Sequence, residues 1–322
     1  MYCNWGILGP GFIATRAIIP AMQEASNSRI LAVASSNEQR ASEVAFRFGI
    51  ERFYSDYQSL LVDPDIDVVY IALPNHLHHE WTLRAAAAGK HILCEKPLAI
   101  YAAECHEMIT ACQQAHVLLM EAMMYRFHPR MHYLKQMLVA RELGDMRFLH
   151  AAFSFNFNAP GNYRAYKQFG GGALLDVGSY CVNAARWLIG SEPESSRVII
   201  AYNQNSIDLS TSAILRFSEN VSAHIQSSFV AAEYQVIEVV GTTGAVLAPV
   251  AFTAWRDEAS ILLIQRGTAF EQKEFAPSDP YKHMVEHFAA CVLKKTPLLY
   301  PAEDAWANLR VLDMLRDIEN AL

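Results

Sequence analysis

The chain has 322 residues, 52% of them hydrophobic and 18% charged, which excludes a disordered or fibrous protein and leaves room for more than one substantial core. Its net charge is −7, from 26 basic and 33 acidic residues, and no Lys/Arg cluster stands out, so nucleic acid is not expected as a partner. Cys3, Cys94, Cys105, Cys112, Cys181 and Cys291 form no Cys-x-x-Cys pair, and neither a basic-then-apolar leader nor a membrane-length apolar run is present. A cytoplasmic protein with buried thiols and no membrane partner is expected.

A short apolar run, Asn4–Leu8, meets Gly9-Pro10-Gly11-Phe12-Ile13-Ala14, and a helical pattern follows to about Glu24. Gly9 can turn the chain out of a strand, and Gly11 has no side chain to hold a pyrophosphate off the backbone. Ala14 is small enough to let the helix lie close on the strand. The helix N-terminus offers unpaired N–H groups to phosphates. Further β-rich runs at Ile30–Ser35, Asp67–Leu73, His91–Cys94 and Val117–Met120 alternate with helices near 12–24, 38–48, 78–88 and 101–115, with Gly49 and Gly89 where C-terminal caps belong. The strands read as almost continuous apolar runs, the pattern of a parallel sheet covered on both faces. Residues 1–122 are therefore expected to form a doubly wound, dinucleotide-binding Rossmann domain.

In such a sheet, ligands bind beyond the carboxyl ends of the strands, and three more unusual segments fall there. After the second strand stands Ser35-Ser36-Asn37-Glu38-Gln39-Arg40. Hydroxyls at Ser35 and Ser36 with a guanidinium at Arg40 suit a ribose 2′-phosphate, which favours NADP, while Glu38 keeps NAD open; Ser36 or Asn37 also reads as a helix N-cap. After the third come Leu73, Pro74, Asn75, His76, Leu77, His78 and His79. Three histidines without a second ligand cluster make a metal site the weaker reading, and a loop lining the cofactor the stronger. After the fourth comes Glu95-Lys96-Pro97, where Lys96 could reach the nicotinamide side of the cleft and polarise a carbonyl or hold a hydroxyl.

From residue 123 to 322 the periodicity changes. Phe153, Phe155 and Phe157 alternate with Ser154, Asn156 and Asn158 within a strand predicted over 147–158, and runs at 197–202, 210–217, 221–229, 235–240 and 260–265 also read as strands. Gly241-Thr242-Thr243-Gly244 reads as a hairpin turn. One helix, about 173–189, interrupts the strands, and two close the chain near 280–293 and 302–319, the last of them able to pack back on the first domain. An α+β substrate-binding domain with a large, open, mainly antiparallel sheet follows. Its open face would be covered in a homo-oligomer, a dimer or tetramer. Gly170-Gly171-Gly172 leads into the helix, where Asp176 and Tyr180 stand four apart on one face. Packed in a core they are structural; beside Lys96 they make an acid/base pair, because a neighbouring ammonium favours phenolate.

The ordered set Gly9 to Ala14, Pro74 to His78, Glu95-Lys96-Pro97, Glu121 to Pro129 and Gly170 to Tyr180 resembles the Gfo/Idh/MocA oxidoreductase family. The resemblance implies NAD(P)-dependent hydride transfer on a sugar, keto-sugar or related polyol or diol, with Lys96 as active-site lysine and Asp176 orienting it or a substrate hydroxyl. Many members carry His where this chain has Tyr180, so the resemblance is to the subgroup of dimeric dihydrodiol dehydrogenase, D-xylose dehydrogenase and glucose–fructose oxidoreductase, with tyrosine as proton donor. It also implies Arg164 near the cofactor, and Arg126, Asn158 and Tyr163 are candidate substrate residues. The rival reading is a non-catalytic NAD(P)-binding regulator of the same fold, which would need the glycine turn but not Lys96, Asp176 and Tyr180 together. An enzyme cycling a retained cofactor between two sugars is a further alternative.

Overall fold

The computed structural model describes residues 2–159, 161–218 and 220–319. The chain divides into two compact units, one comprising residues up to Met124 together with Tyr281–Trp306, the other Tyr125–Pro280 together with residues from Ala307 on.

The first unit holds six parallel strands, β1 (Cys3–Leu8), β2 (Ser28–Ala34), β3 (Arg52–Tyr54), β4 (Val68–Ile71), β5 (His91–Cys94) and β6 (Leu119–Glu121), in the order β3-β2-β1-β4-β5-β6. Helices α1 (Ile19–Glu24), α2 (Glu38–Phe48), α3 (Tyr57–Leu61), α4 (His78–Ala87) and α5 (Ala102–Gln114) connect them. All four residues of β4 have no exposed surface, as a central parallel strand requires. β3 and α3 carry no sequence signal, being only three and five residues long. The first helix opens with a π-turn over Ala14–Ile18 before α1. Pro20 explains it: the ring cannot donate to the carbonyl four residues back and clashes with it in a regular helix, so the preceding turn widens.

The second unit begins with α6 (Pro129–Val139), a helix whose pattern the sequence hides; His128 caps it by accepting the Arg130 N–H, and Pro129 starts it. β7 (Met146–Ser154) follows, then a π-turn over Leu174–Gly178 that runs straight into α7 (Ser179–Ile189). The remaining strands are β8 (Ser195–Tyr202), β9 (Asp208–Ser218), β10 (Val221–Ser228), β11 (Tyr234–Gly241), β12 (Gly244–Pro249), β13 (Ser260–Arg266) and β14 (Ala269–Phe275). They form an open sheet, β14-β13-β12-β11-β7-β10-β9-β8, antiparallel except where β10 runs parallel to β7. β7 stops at Ser154, short of the predicted 158, although the Phe155 and Phe157 N–H groups still donate to the Ser228 and Phe229 carbonyls. β12 and β14 escape the sequence reading, β14 because its Glu271, Lys273 and Glu274 suit an exposed edge rather than a core. Thr242-Thr243 close the β11–β12 hairpin.

One face of this sheet is buried by side chains such as Leu149, Ala213, Leu215, Ala223 and Ile237, with α7 packed on β7 and β10. The opposite face presents Phe148, Ile199, Ile214 and Leu263, at 38%, 78%, 49% and 41% exposure, with Arg197, Arg216, His224 and Glu238 on the same side. Two helices end the chain, α8 (Pro280–Lys294) and α9 (Ala302–Glu319). In the first unit Phe288 of α8 meets Trp5 of β1, and Glu286 accepts from Ser26. In the second, Asn308 of α9 donates to the Ser179 carbonyl of α7. All six cysteines are buried thiols, and among the described residues no helix is long and apolar enough to cross a membrane.

Candidate active site

Backbone hydrogen bonds at the carboxyl ends of the parallel strands line the expected segments up. Gly9 N–H donates to Ala34 O, Ala72 N–H to Leu8 O, Glu95 N–H to Ile71 O and Ala122 N–H to Cys94 O, at 2.8–3.0 Å. The glycine turn, the Ser35 segment, the Leu73 segment and the Lys96 loop thus share one rim, around the point where β2 and β4 flank β1 and the order reverses.

Gly9 has φ +84°, and a Cβ there would lie 2.6 Å from Leu73 Cδ2, so the fold itself requires glycine. Gly11 differs: a Cβ would meet nothing closer than the Ala72 carbonyl oxygen at 3.8 Å. Packing leaves the space over Gly11 open, and a pyrophosphate approaching the backbone would fill it. Phe12 is 70% exposed, Ile13 is half-buried, and Pro10 and Ala14 are buried. The residues present fit a dinucleotide. The end of β2 runs into Ser35, Ser36 and Asn37, with Glu38 exposed in the first turn of α2. Ser35 is buried, its Oγ accepting the Asn37 N–H; Asn37 is the N-cap of α2, and Ser36 and Arg40 stand exposed.

The Leu73–His78 and Lys96 loops are tied together by His78. It is wholly buried, with Nδ1 2.9 Å from Pro97 O and Nε2 2.8 Å from Leu73 O. Burial first, then the Lys96 charge, pushes its pKa down, while the two carbonyl contacts push it up. The ring nitrogens of His78 thus face carbonyls of both loops. His79 pairs with Glu107, and among the described residues no three His, Cys, Asp or Glu side chains are grouped as metal ligands. Leu73 and Asn75 are buried, and Pro74 and Lys96 are half-buried.

Two residues to which the sequence assigns no role of their own, Tyr70 and Glu121, support this loop. Tyr70, buried in β4, donates its hydroxyl to Glu95, and Glu121 at the end of β6 accepts the Leu98 N–H at 2.8 Å. Burial and the Glu95 charge hold the Tyr70 phenol well above its ordinary pKa, keeping it a donor. In sequence, Tyr70 was indistinguishable from the apolar run around it.

In the second unit Asp176 is 4% exposed and pairs with Arg164 Nε at 2.7 Å; the Arg164 guanidinium lies 4.8 Å over the Tyr163 ring. The carboxylate expected to orient a lysine or substrate is thus itself oriented by arginine, and Arg164 is engaged with Asp176 and Tyr163. Tyr180, 6% exposed, sits in an aromatic cluster with Tyr125, Phe153 and Phe252 at centroid distances of 6.0, 5.6 and 5.5 Å. Arg126, a candidate for the substrate pocket, is 4% exposed, with its guanidinium 4.9 Å over the Trp187 ring of α7. Asn158 is exposed and Tyr163 half-buried.

Comparison with known proteins agrees with this architecture. Residues 3–123 match the model described as "Oxidoreductase family, NAD-binding Rossmann fold", and residues 131–247 match the GFO/IDH/MocA C-terminal domain. A D-xylose 1-dehydrogenase (NADP(+)) of Haloferax volcanii is 36% identical over 97% of this chain and 95% of its own length. Among solved structures, the aldose-aldose oxidoreductase of Caulobacter crescentus in complex with glycerol superposes with TM-score 0.93 at 28% identity, covering 100% of this chain and 98% of that one. A 3-ketoreductase of Actinomadura kijaniata in complex with NADP and TDP-benzene gives 0.92 at 28% identity, covering 98% of each. This chain belongs to the Gfo/Idh/MocA family and is an NAD(P)-dependent oxidoreductase.

Proposed function

We propose that the enzyme uses NADP to oxidise a hydroxyl, or reduce a ketone, on a sugar, keto-sugar or related polyol or diol, with Tyr180 and Lys96 as its acid/base centre. The open space over Gly11, on the same rim as the Lys96 loop, is the observation that carries the reading. Bound NADP supplies or accepts the hydride at nicotinamide C4. Tyr180 takes the substrate hydroxyl proton in oxidation and returns it in reduction, and the Lys96 ammonium favours the phenolate form. Asp176, steadied by Arg164, holds a second substrate hydroxyl or the lysine. Asn158 and Tyr163 remain candidates for substrate contact. The enzymes of xylose and keto-sugar chemistry among the relatives support the substrate class.

The test is a panel of aldoses, inositols, keto-sugars and diols offered with NADP and with NAD, following nicotinamide absorbance. Binding of dinucleotide with no turnover on any of them would leave a regulator instead.

The preference for NADP is proposed to lie in Ser36 and Arg40, exposed where an acidic residue would serve NAD. Arg40→Ala should weaken NADP by about 10- to 100-fold, the range expected for a charge-assisted hydrogen bond, and leave NAD nearly unchanged. Equal losses for both cofactors in steady-state kinetics would remove the 2′-phosphate assignment.

The open sheet face is proposed to be covered by a second copy of the chain. Arg197 and Arg216 lie toward one side of the face and Glu238 toward the middle, around the apolar Phe148 and Ile214, so a twofold stacking can pair unlike charges. The double substitution Ile199→Glu and Ile214→Glu should convert a dimer to monomer in sedimentation; a wild-type profile would place the interface elsewhere.

A further inference from the structure

We propose that Asp208, at the start of β9, is a positioning residue for the reaction, its carboxylate fixing the first turn of the helix that carries Asp176 and Tyr180. The inference rests on the roles proposed above for those two side chains.

Asp208 Oδ2 accepts the Leu174 N–H at 2.6 Å, in the turn where the helix begins. Gly172 meets the other oxygen: a Cβ there would lie 1.8 Å from Asp208 Oδ1, and its φ is +109°. The last glycine of the triplet is thus demanded twice, by its backbone and by the carboxylate pressed against it. From Gly172 the connections run directly to the site. Its N–H donates to Arg164 O at 3.1 Å, its carbonyl accepts the Asp176 N–H at 3.2 Å, and Arg164 Nε closes on Asp176 at 2.7 Å. Asp208 secures the knot from outside, so releasing it frees the turn that sets Asp176 and Arg164. A misplacement of about 1 Å in such a site costs on the order of 10²-fold in rate.

The carboxyl also holds its proton more tightly than a free one. Burial is the first cause, pushing Asp208 up to about 7 against the Leu174 N–H and the Arg316 charge. The residue as a whole is only half-buried, but its carboxylate is closed off by Gly172 and Leu174. The charged groups around it are Arg316 of α9, paired with Asp313, and beyond Leu174 the Arg164–Asp176 pair. The ionised form accepts the stronger bond from Leu174, so kcat should climb as pH rises through about 7. Stability runs the other way. A carboxyl that holds its proton more tightly when folded than when unfolded (about 3.9) lends stability at low pH and withdraws it as pH rises toward 7.

The experiment compares Asp208→Ala and Asp208→Asn with the wild-type enzyme on any substrate it turns over, across pH, with NADP Kd measured separately. Asp208→Ala should lose about 10- to 100-fold in kcat while NADP Kd changes less than about twofold. Asp208→Asn keeps an acceptor oxygen for the Leu174 N–H and cannot ionise; it should hold the rate that the wild-type enzyme shows below the limb, lose the rise near pH 7 and remove the matching slope of Tm against pH. A wild-type kcat in Asp208→Ala, or an unchanged limb in Asp208→Asn, overturns the proposal; if the alanine variant does not fold, the asparagine profile decides alone. Tyr180→Phe run in parallel separates the two claims: full activity there refutes the tyrosine's role, whatever Asp208 does.

Discussion

Tyr180→Phe is expected to lower kcat by about 10²- to 10⁴-fold, the usual worth of a positioned general acid/base, while NADP Kd stays within about twofold. The phenyl ring fills the same volume against Tyr125, Phe153 and Phe252, so Tm should not move by more than a degree or two, and the loss can be read as chemistry. Lys96→Ala should cost a comparable factor for a different reason. The lysine takes no proton in this scheme; it favours the ionised phenol. Its removal should therefore lower the rate by taking away that support for the phenolate. If the two act on one proton, the double variant will be scarcely worse than either single one. Tyr180→Phe at near wild-type rate, or strictly multiplicative losses, would separate the two residues and end the acid/base assignment.

What could be read from the amino-acid order alone divides along a physical line. The parallel strands, the glycine turn and the Lys96 loop are local: each is a run of a few residues whose apolar continuity or backbone freedom announces it, and hydrogen bonding between strand ends then aligns them at one rim. β3 and α3 were invisible because three and five residues hold no period, and β14 because an exposed edge strand carries charges that resemble a loop. α6 was lost because Pro129 and the mixed His132, Lys135 and Gln136 faces blur its stripe. The supports of the site were hidden for another reason. Tyr70 to Glu95, His78 to Pro97 and Asp208 to Leu174 join residues 19 to 34 positions apart, and such a pairing leaves no trace in either local sequence. Asp176 and Tyr180 were found because they share a helix, but that Arg164 would claim the carboxylate was not legible from their spacing.

Gly11→Val tests the cofactor site without touching the fold. Since a Cβ at this position meets no protein atom nearer than 3.8 Å and the backbone there is not left-handed, the variant should fold with an unchanged Tm. Its side chain would occupy the space assigned to the pyrophosphate. Losing one charge-assisted hydrogen bond costs about 1.5–3 kcal/mol, so NADP should bind about 10- to 100-fold more weakly, and more if the diphosphate is displaced altogether. Gly9→Ala is the contrasting control. Its φ of +84° and the 2.6 Å approach of a Cβ to Leu73 Cδ2 put the cost into folding, about 1–2 kcal/mol for the left-handed backbone before any clash is counted. One glycine serves the ligand and the other serves the chain, although both belong to the same turn. Calorimetric titration beside thermal unfolding distinguishes them: NADP binding of wild-type strength in Gly11→Val would mean that the pyrophosphate is not seated on this turn, and the open space above Gly11 would need another occupant.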